Sequence, residues 1–236
     1  MRREREITGM DRTQEFIEAI KVGNTVEIEE LLDQDPALVN AKSETGISAV
    51  LLAIYYGRPA MGELLITRGA LLNIFEASAV GKFDRVKELV DGQPDLVNAY
   101  ADDGFQPLGL ASFFGHEEVA ELLLSKGARV NSASKNAQRV MPLHSAVVGG
   151  HVAMAKTLLA RGADVNARQA DDFSPLHGAA QNGQLEMFKL FLGHGAEVNA
   201  KGGGRTPLVI ALEQGHQDVA TLLRQHGSEE WEVEYG

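Results

Sequence analysis

The stretch TPLVIALEQGHQDVATLLRQHG, residues 206–227, decides how this chain folds. The side-chain oxygen of Thr206 can cap a helix, and Pro207 suits a first helical turn, where no backbone N–H donor is needed. Gly215 supplies the left-handed residue that ends this helix, and Gly227 ends a second one. Apolar residues between the two glycines recur at helical spacing. The stretch therefore predicts two short antiparallel helices with an apolar stripe that a neighbour must cover.

Two series of residues repeat along the chain in register with this helix pair. Asparagines in VNA-like tripeptides lie 33, 25, 33, 35 and 33 residues apart, and a helix-ending glycine accompanies each unit. Seven such glycines predict seven helix pairs, and stacking the pairs buries their stripes in one continuous core. The asparagines are Asn40, Asn73, Asn98, Asn131, Asn166 and Asn199, and the glycines are Gly23, Gly57, Gly81, Gly115, Gly150, Gly183 and Gly215.

These repeats resemble the ankyrin repeat family, whose consensus of roughly 33 residues has a TPLH motif at the first helix and a GADVN-like run after the second. The resemblance covers about residues 11–227 and implies an all-α solenoid of about seven helix-pair units joined by β-hairpin fingers. Two loops resemble those of small bacterial ankyrin proteins, a group that implies no shared activity. The matching stretches are SPLHGAAQNG (174–183), MPLHSAVVGGH (141–151), GADVNA (162–167) and QPLGLASFFGH (106–116), and the two loops are DPALVNA (35–41) and QPDLVNA (93–99).

The repeat boundaries predict one repeat domain between two tails. The N-terminal tail covers residues 1–10, the single domain covers 11–227, and an acidic C-terminal tail covers 228–236. The C-terminal tail contains Trp231 and Tyr235. It is either a frayed end or a strap that docks Trp231 on the last helix pair. The predicted units are 11–42, 43–73, 74–100, 101–133, 134–167, 168–200 and 201–227.

The spacing of 25 residues between Asn73 and Asn98 departs from the repeat. The chain runs from LLN directly into IFEASAVG, without the segment that forms a finger in the related repeats. We therefore predict that one finger is deleted near residue 73. The deletion is either neutral, including the seam of an ancestral duplication, or it opens a notch for a partner or a small ligand.

Ser174, His177 and Asp172 are the residue types of a catalytic triad, in which a serine is the nucleophile, a histidine the base and an acid orients the histidine. Their spacing at a turn-to-helix junction favours helix capping, and it supplies no oxyanion donors. The resemblance places Ser174 at the capping position and His177 where the family's histidine bonds the backbone of a neighbouring repeat. We therefore predict no catalytic residue. Asp11, followed three residues later by Gln14, predicts a capping box at the first helix.

Composition excludes several classes of function. The formal charge of −11 disfavours binding to nucleic acid or to an anionic membrane, since both require a basic surface. The chain has no cysteine, and its seven histidines are distributed along the repeats, so we expect no metal site and no cofactor. A charged N-terminus and the lack of ~18 consecutive apolar residues favour a soluble, cytoplasmic protein.

The leading hypothesis is a non-catalytic module that binds a partner protein on a concave aromatic and acidic face. The partner is unidentified and is expected to be basic or apolar at the contact, and a monomer is favoured over an oligomer. An alternative is a small-ligand or enzymatic role that uses the notch, and a third is a homo-oligomer or an inhibitor whose acidic groove occupies a basic site. The resemblance places the predicted partner-binding residues on the variable surface positions Tyr55, Tyr56, Asp102, Asp103, Phe105, Phe113, Phe114, Asp171, Asp172 and Phe173.

Overall fold

The computed structural model describes residues 11–228, and this part of the chain contains fourteen α-helices in seven consecutive pairs. The all-α prediction with about seven helix-pair units is confirmed. The first helices of the pairs are α1 (Arg12–Val22), α3 (Ala49–Tyr55), α5 (Ile74–Ala79), α7 (Pro107–Phe114), α9 (Pro142–Gly149), α11 (Pro175–Gln181) and α13 (Pro207–Glu213). The second helices are α2 (Thr25–Gln34), α4 (Pro59–Thr67), α6 (Phe83–Gly92), α8 (Glu117–Ser125), α10 (Val152–Ala160), α12 (Leu185–Gly193) and α14 (Gln217–Gln225).

The chain divides into two compact units, the first ending at Glu76 and the second beginning at Ala77. In the first unit, α3 contacts α1 and α4. In the second unit, the first helices lie side by side, with α7 on α9, α9 on α11 and α11 on α13. The second helices follow in the same order from α6 to α14. The second unit is therefore a one-dimensional stack in which each helix pair contacts its neighbours.

The core is the row of apolar residues that recur at helical spacing. In the fourth helix pair, Leu108 and Ala111 of α7 and Val119 and Leu123 of α8 are all buried. Leu123 has no exposed surface, so truncating it to alanine is expected to cost about 2–5 kcal/mol of stability.

The helix boundaries follow the signals in the sequence. Proline occupies the first turn of α7, α9, α11 and α13. Thr206 Oγ1 accepts a hydrogen bond from the Val209 N–H at 3.4 Å, as predicted. Gly115 ends α7 in the left-handed region at φ 78°, where a residue with a Cβ is strained.

The capping box predicted at the first helix is wrong. Asp11 is the N-cap residue of α1, but its side chain makes no capping hydrogen bond. Gln14 Nε2 instead donates to Glu44 Oε1 at 2.8 Å, because Glu44 lies close to α1 in the folded chain. A tertiary contact has replaced the local one.

Fingers join the helix pairs as tight hairpin turns rather than as strands. We number each finger by the helix pair that follows it. In the fourth finger, residues 101–105, the Ala101 N–H donates to the Phe105 carbonyl at 2.9 Å. Isolated bridges occur at Lys42–Ser48 and at Gly202–Arg205.

The finger predicted to be missing near residue 73 is absent, since α5 begins at Ile74, directly after Asn73. Asn73 Oδ1 accepts hydrogen bonds from the backbone N–H groups of Phe75 (2.7 Å) and Glu76 (3.3 Å). Glu76 Oε2 accepts from the Asn73 N–H at 2.9 Å, and the Glu76 side chain is buried. This reciprocal capping box starts the helix without the TPLH motif.

The two bacterial-type loops form short 3₁₀ turns at Pro36–Asn40 and Pro94–Asn98. Asp35 starts the first turn by accepting a hydrogen bond from the Ala37 N–H at 3.1 Å. Val39 and Val97 are buried, so each loop adds an apolar residue to the core.

Candidate functional site

Ser174 and His177 form a cap, and both ring nitrogens of the histidine are engaged. His177 Nδ1 lies 2.7 Å from Ser174 Oγ and 3.2 Å from the Ser174 backbone nitrogen, which donates to it. Nε2 lies 3.0 Å from the Ala200 carbonyl and 3.2 Å from the Arg205 carbonyl. Because carbonyls only accept and the Ser174 N–H only donates, these partners fix the neutral Nε2–H tautomer. Burial lowers the pKa of His177 to about 4, so the ring is neutral near pH 7.

His144 occupies the equivalent position one repeat earlier but lacks half of its cap. Its Nε2 donates to the Phe173 carbonyl at 3.2 Å, whereas its buried Nδ1 has no hydrogen-bond partner among residues 11–228. The N-cap residue here is Met141, which has no hydroxyl. Burial lowers the pKa of His144 to about 4 as well. His144 therefore links two repeats as His177 does, but its cap is incomplete.

Other histidines also connect repeats rather than forming a metal centre. His116 Nε2 lies 2.9 Å from the Ala79 carbonyl, and His216 Nε2 lies 3.1 Å from the Gln181 carbonyl. Gln184 and Arg58 also directly follow a helix-ending glycine, and their side chains donate to the carbonyls of Val147 and Lys21. Within residues 11–228, no group of three or more His, Cys, Asp or Glu side chains could hold a metal ion.

The repeating asparagines form a second set of links that the sequence reasoning did not identify. Asn131 Oδ1 accepts from the Asp164 N–H at 2.9 Å, and Asn131 Nδ2 donates to the Gly162 carbonyl at 3.0 Å. Asn98 and Asn166 make the same two bonds to the following loop. The spacing of about one repeat was the available signal, but spacing does not show which groups an amide will bond. These links help hold each helix pair to the next.

Tyr55 and Tyr56 lie at the mouth of a groove in the first unit. Their side chains are 37% and 50% exposed. The groove has a volume of about 710 Å³ and lies between α1, the hairpin turn 43–47 and α3. We call it the tyrosine groove; its lining residues are Asp11, Thr13, Gln14, Ile17, Glu18, Lys21, Lys42, Ser43, Glu44, Thr45, Ile47, Leu52, Tyr55 and Tyr56.

The rim of the tyrosine groove carries ordered charges. Lys21 Nζ lies 2.6 Å from Glu18 Oε1, and this hydrogen bond raises the pKa of Lys21. The Gln14–Glu44 hydrogen bond holds the Glu44 carboxylate against α1. Three carboxylates and two ammonium groups line the groove, so its net charge is slightly negative.

The four predicted phenylalanines belong to the second unit and are half-buried. Phe113 and Phe114 form an edge-to-face pair with ring centroids 4.8 Å apart at the end of α7. The Phe173 ring lies 5.1 Å from the His177 ring, which gives it a packing role in the sixth finger. Phe105 lies at the base of the fourth finger, where its N–H donates to Asp103 Oδ1 at 3.1 Å. Phe113 and Phe114 therefore remain the main aromatic candidates of this unit.

The four predicted acidic residues lie at the tips of two fingers of the second unit. Asp102 is exposed and Asp103 is half-buried in the fourth finger. Asp171 and Asp172 are exposed in the sixth finger, and both have left-handed backbones, with φ of 58° and 56°. The tail residues Trp231 and Tyr235 lie outside the described part of the chain. Among the described residues, no helix is long and apolar enough to cross a membrane.

Comparisons with known proteins are consistent with this geometry. A family model described as "Ankyrin repeats (3 copies)" matches residues 74–169 and 166–232, more than half of the chain. The chain is 36% identical over 132 residues to "Ankyrin repeat and SAM domain-containing protein 6" of Rattus norvegicus, covering 56% of the chain and 12% of that protein. It is 31% identical over 128 residues to "Alpha-latrocrustotoxin-Lt1a" of Latrodectus tredecimguttatus, covering 50% of the chain and 9% of that protein. The chain thus spans about a tenth of the length of these relatives.

Proposed function

We propose that this chain, which belongs to the ankyrin repeat family, is a non-catalytic module that binds a partner protein through the tyrosine groove. Ankyrin repeats are protein–protein interaction modules. The choice of surface rests on the two exposed tyrosines beside an open groove. Two walls of this groove, α1 and the turn 43–47, are joined by the Gln14–Glu44 hydrogen bond. A preformed surface loses little conformational entropy on binding.

The chemistry of the tyrosine groove suits a segment that is basic or apolar. Exposed aromatic side chains provide large contact areas and are enriched among residues that dominate binding energy. A Lys or Arg side chain of the partner gains a cation–π contact with Tyr55 or Tyr56 and an ion pair with Glu44. We therefore propose Tyr55 and Tyr56 as anchors, with Glu44 selecting for positive charge.

In the second unit, we propose the Phe113–Phe114 pair as a separate protein-binding contact. The edge-to-face geometry leaves both rings partly exposed at the end of α7. A non-catalytic role fits the Ser174–His177 pair, because the cap engages Nδ1 and the Ala200 carbonyl engages Nε2.

Selection from a random peptide library on immobilised protein tests the proposal. Wild type is expected to enrich peptides with Lys or Arg next to an apolar or aromatic residue. Tyr56→Ser is expected to weaken binding of the selected peptides at least tenfold, with a stability change within about 0.5 kcal/mol for an exposed position. Glu44→Gln is expected to weaken the basic peptides more than the apolar ones.

Leu71→Ser is the matched control, because Leu71 is an exposed apolar residue of the first unit outside the tyrosine groove. Equal binding by wild type and a folded Tyr56→Ser variant contradicts the groove assignment. If weakening instead follows Phe114→Ser, the contact lies in the second unit.

A further inference from the structure

Four hairpin turns of the second unit form one connected row, which we call the finger row: residues 101–105, 134–140, 169–173 and 202–205. Backbone hydrogen bonds join each finger to the next. The Lys135 N–H donates to the Gly104 carbonyl at 2.9 Å, and the Ala170 N–H donates to the Gln138 carbonyl at 2.9 Å. The Gly203 N–H donates to the Asp171 carbonyl at 2.7 Å. The four tips are therefore held in fixed order and spacing.

The charges of the finger row alternate in sign from one finger to the next. The fourth finger is acidic, the fifth basic, the sixth acidic and the seventh basic. The fourth, fifth and sixth fingers each contribute two charged side chains and the seventh contributes one, so four acidic and three basic side chains leave the row close to neutral, although the whole chain carries a charge of −11. The charged residues are Asp102 and Asp103, then Lys135 and Arg139, then Asp171 and Asp172, then Arg205, which also pairs with Glu213 at 2.8 Å.

The two central fingers do not neutralise each other within the chain. Asp171, Asp172 and Arg139 are exposed, and within residues 11–228 no ion pair engages these three side chains. Lys135 Nζ lies 4.1 Å from the centre of the Tyr100 ring, not beside a carboxylate. Both aspartates carry left-handed backbones, a conformation that glycine adopts with less strain. These charges therefore point to a function outside the stack.

An alternating row with an even number of charged groups is complementary to itself when reversed. Turned end for end, the order acidic, basic, acidic, basic becomes basic, acidic, basic, acidic. The fourth finger of one copy then faces the seventh of the other, and the fifth faces the sixth. A two-fold axis produces this pairing, because residues i and j of one copy contact j and i of the other.

We propose that the finger row is a self-complementary surface through which two copies of this chain associate. Because the row is close to neutral, two strongly acidic chains can approach along it with little local repulsion. The contact is expected to be small and weak, since exposed ion pairs contribute about 0–1 kcal/mol each. It is also expected to weaken with salt, which screens exposed charges more than about 10 Å apart at 0.1 M. The sequence alone favoured a monomer, because it does not show that the fingers are joined.

Sedimentation velocity of the full chain as a function of concentration provides the first test. At about 20 mM ionic strength, the apparent mass is expected to rise from 25.4 kDa towards twice that value as the concentration reaches the high micromolar range. At about 0.5 M salt, the chain is expected to sediment as a monomer. A chain that stays monomeric at low salt and millimolar concentration overturns the proposal.

Charge reversal on the central fingers tests the geometry. Asp171→Lys/Asp172→Lys makes both central fingers basic, and Lys135→Glu/Arg139→Asp makes both acidic. Each variant alone is expected to lose at least tenfold in self-association, because its fifth finger meets a sixth finger of the same sign. An equimolar mixture is expected to form a heterodimer, since every facing pair is then opposite in charge.

Matched controls separate the finger row from net charge. Glu118→Lys/Glu121→Lys changes the net charge as much as the basic variant, at exposed positions of α8. This control is expected to associate at least as well as wild type. Asp171→Asn/Asp172→Asn removes the charge with residues that tolerate left-handed backbones, so it tests the proposal if the lysine variant misfolds.

The outcomes of these experiments are distinct. Loss of association in both variants, with recovery in the mixture, supports the two-fold pairing. Loss without recovery, or wild-type association by the variants, overturns it. The finger row lies in the second unit and the tyrosine groove in the first, so binding of peptides by Tyr55 and Tyr56 is tested independently.

Discussion

Replacing Gly115 with alanine tests the contact between helix-ending glycines and the side chains that cross them. Gly115 has φ of 78°, and a Cβ placed on it would lie 2.6 Å from His151 Nδ1 and 2.7 Å from Cε1 of the same ring. Gly150 has φ of 76°, but a Cβ placed there would lie 3.7 Å from Gln184 Nε2, an ordinary contact. Both glycines end eight-residue helices of the second unit, α7 and α9. Comparing alanine substitutions at Gly115 and Gly150 therefore separates backbone strain from steric overlap.

The expected magnitudes follow from this difference. A left-handed non-glycine residue costs about 1–2 kcal/mol, and the lower chain entropy of unfolded alanine returns about 0.4–1 kcal/mol. Gly150→Ala is therefore expected to destabilise by about 1 kcal/mol. Gly115→Ala has the same backbone term and must also displace the His151 ring, for which overpacking costs about 1–3 kcal/mol more.

Urea denaturation at pH 7.5, followed by far-ultraviolet circular dichroism, measures both variants. Gly115→Ala is expected to lose about 2–4 kcal/mol in total, and the double variant Gly115→Ala/His151→Ala should recover part of the difference from Gly150→Ala. Equal losses for Gly115→Ala and Gly150→Ala would refute the reasoning, because the backbone term would then account for both. A double variant no more stable than Gly115→Ala would exclude the His151 ring as the obstacle.

Three further predictions concern the links between repeats. Met141→Ser is expected to raise the free energy of unfolding by about 1 kcal/mol by giving His144 Nδ1 a partner, and a urea midpoint at or below that of wild type contradicts this. Burial lowers the pKa of folded His177 to about 4, so between pH 6.5 and 4 the unfolded chain takes up a proton on this residue that the folded chain does not. The contribution of neutral His177 to the free energy of unfolding is therefore full above pH 6.5 and is lost as the pH falls towards 4. Wild type should therefore lose stability more steeply than His177→Gln between pH 7 and 4.5, and parallel urea midpoints would reject the assignment. Asn131→Ala is expected to cost about 1 kcal/mol and to speed hydrogen exchange at the Asp164 N–H, whereas unchanged exchange would show that the amide does not hold that loop.

The predicted features that the structure confirmed depend on local chemistry repeated many times. The left-handed glycines, the prolines at first turns and the helical spacing of apolar residues each act within one helix pair. The Thr206 side chain capped its helix as predicted, whereas the Asp11 side chain did not, and the Gln14 side chain bonds Glu44 across the fold instead of the Asp11 backbone. Local patterns predict well where no distant group competes for the same donor or acceptor.

The proposed surfaces required three-dimensional information. Tyr55 and Tyr56 were identified as surface candidates from their repeat position, but their groove depends on α1 and the turn 43–47 meeting in space. Phe173 was a surface candidate too, and the structure places it against His177. A repeat position defines a face of the helix pair, whereas the degree of exposure depends on the neighbouring repeat.

By itself, the sequence determined the all-α repeat architecture, the number of helix pairs, the missing finger and the capping roles of Ser174 and His177. These features follow from spacing and from the conformational preferences of single residues, which a sequence contains in full. Only the tertiary structure decided which carbonyls the histidines and asparagines reach, which aromatic rings stay exposed, and that the charged fingertips form one connected row. Those features depend on distances between residues about one repeat apart in sequence, and packing between helix pairs sets those distances.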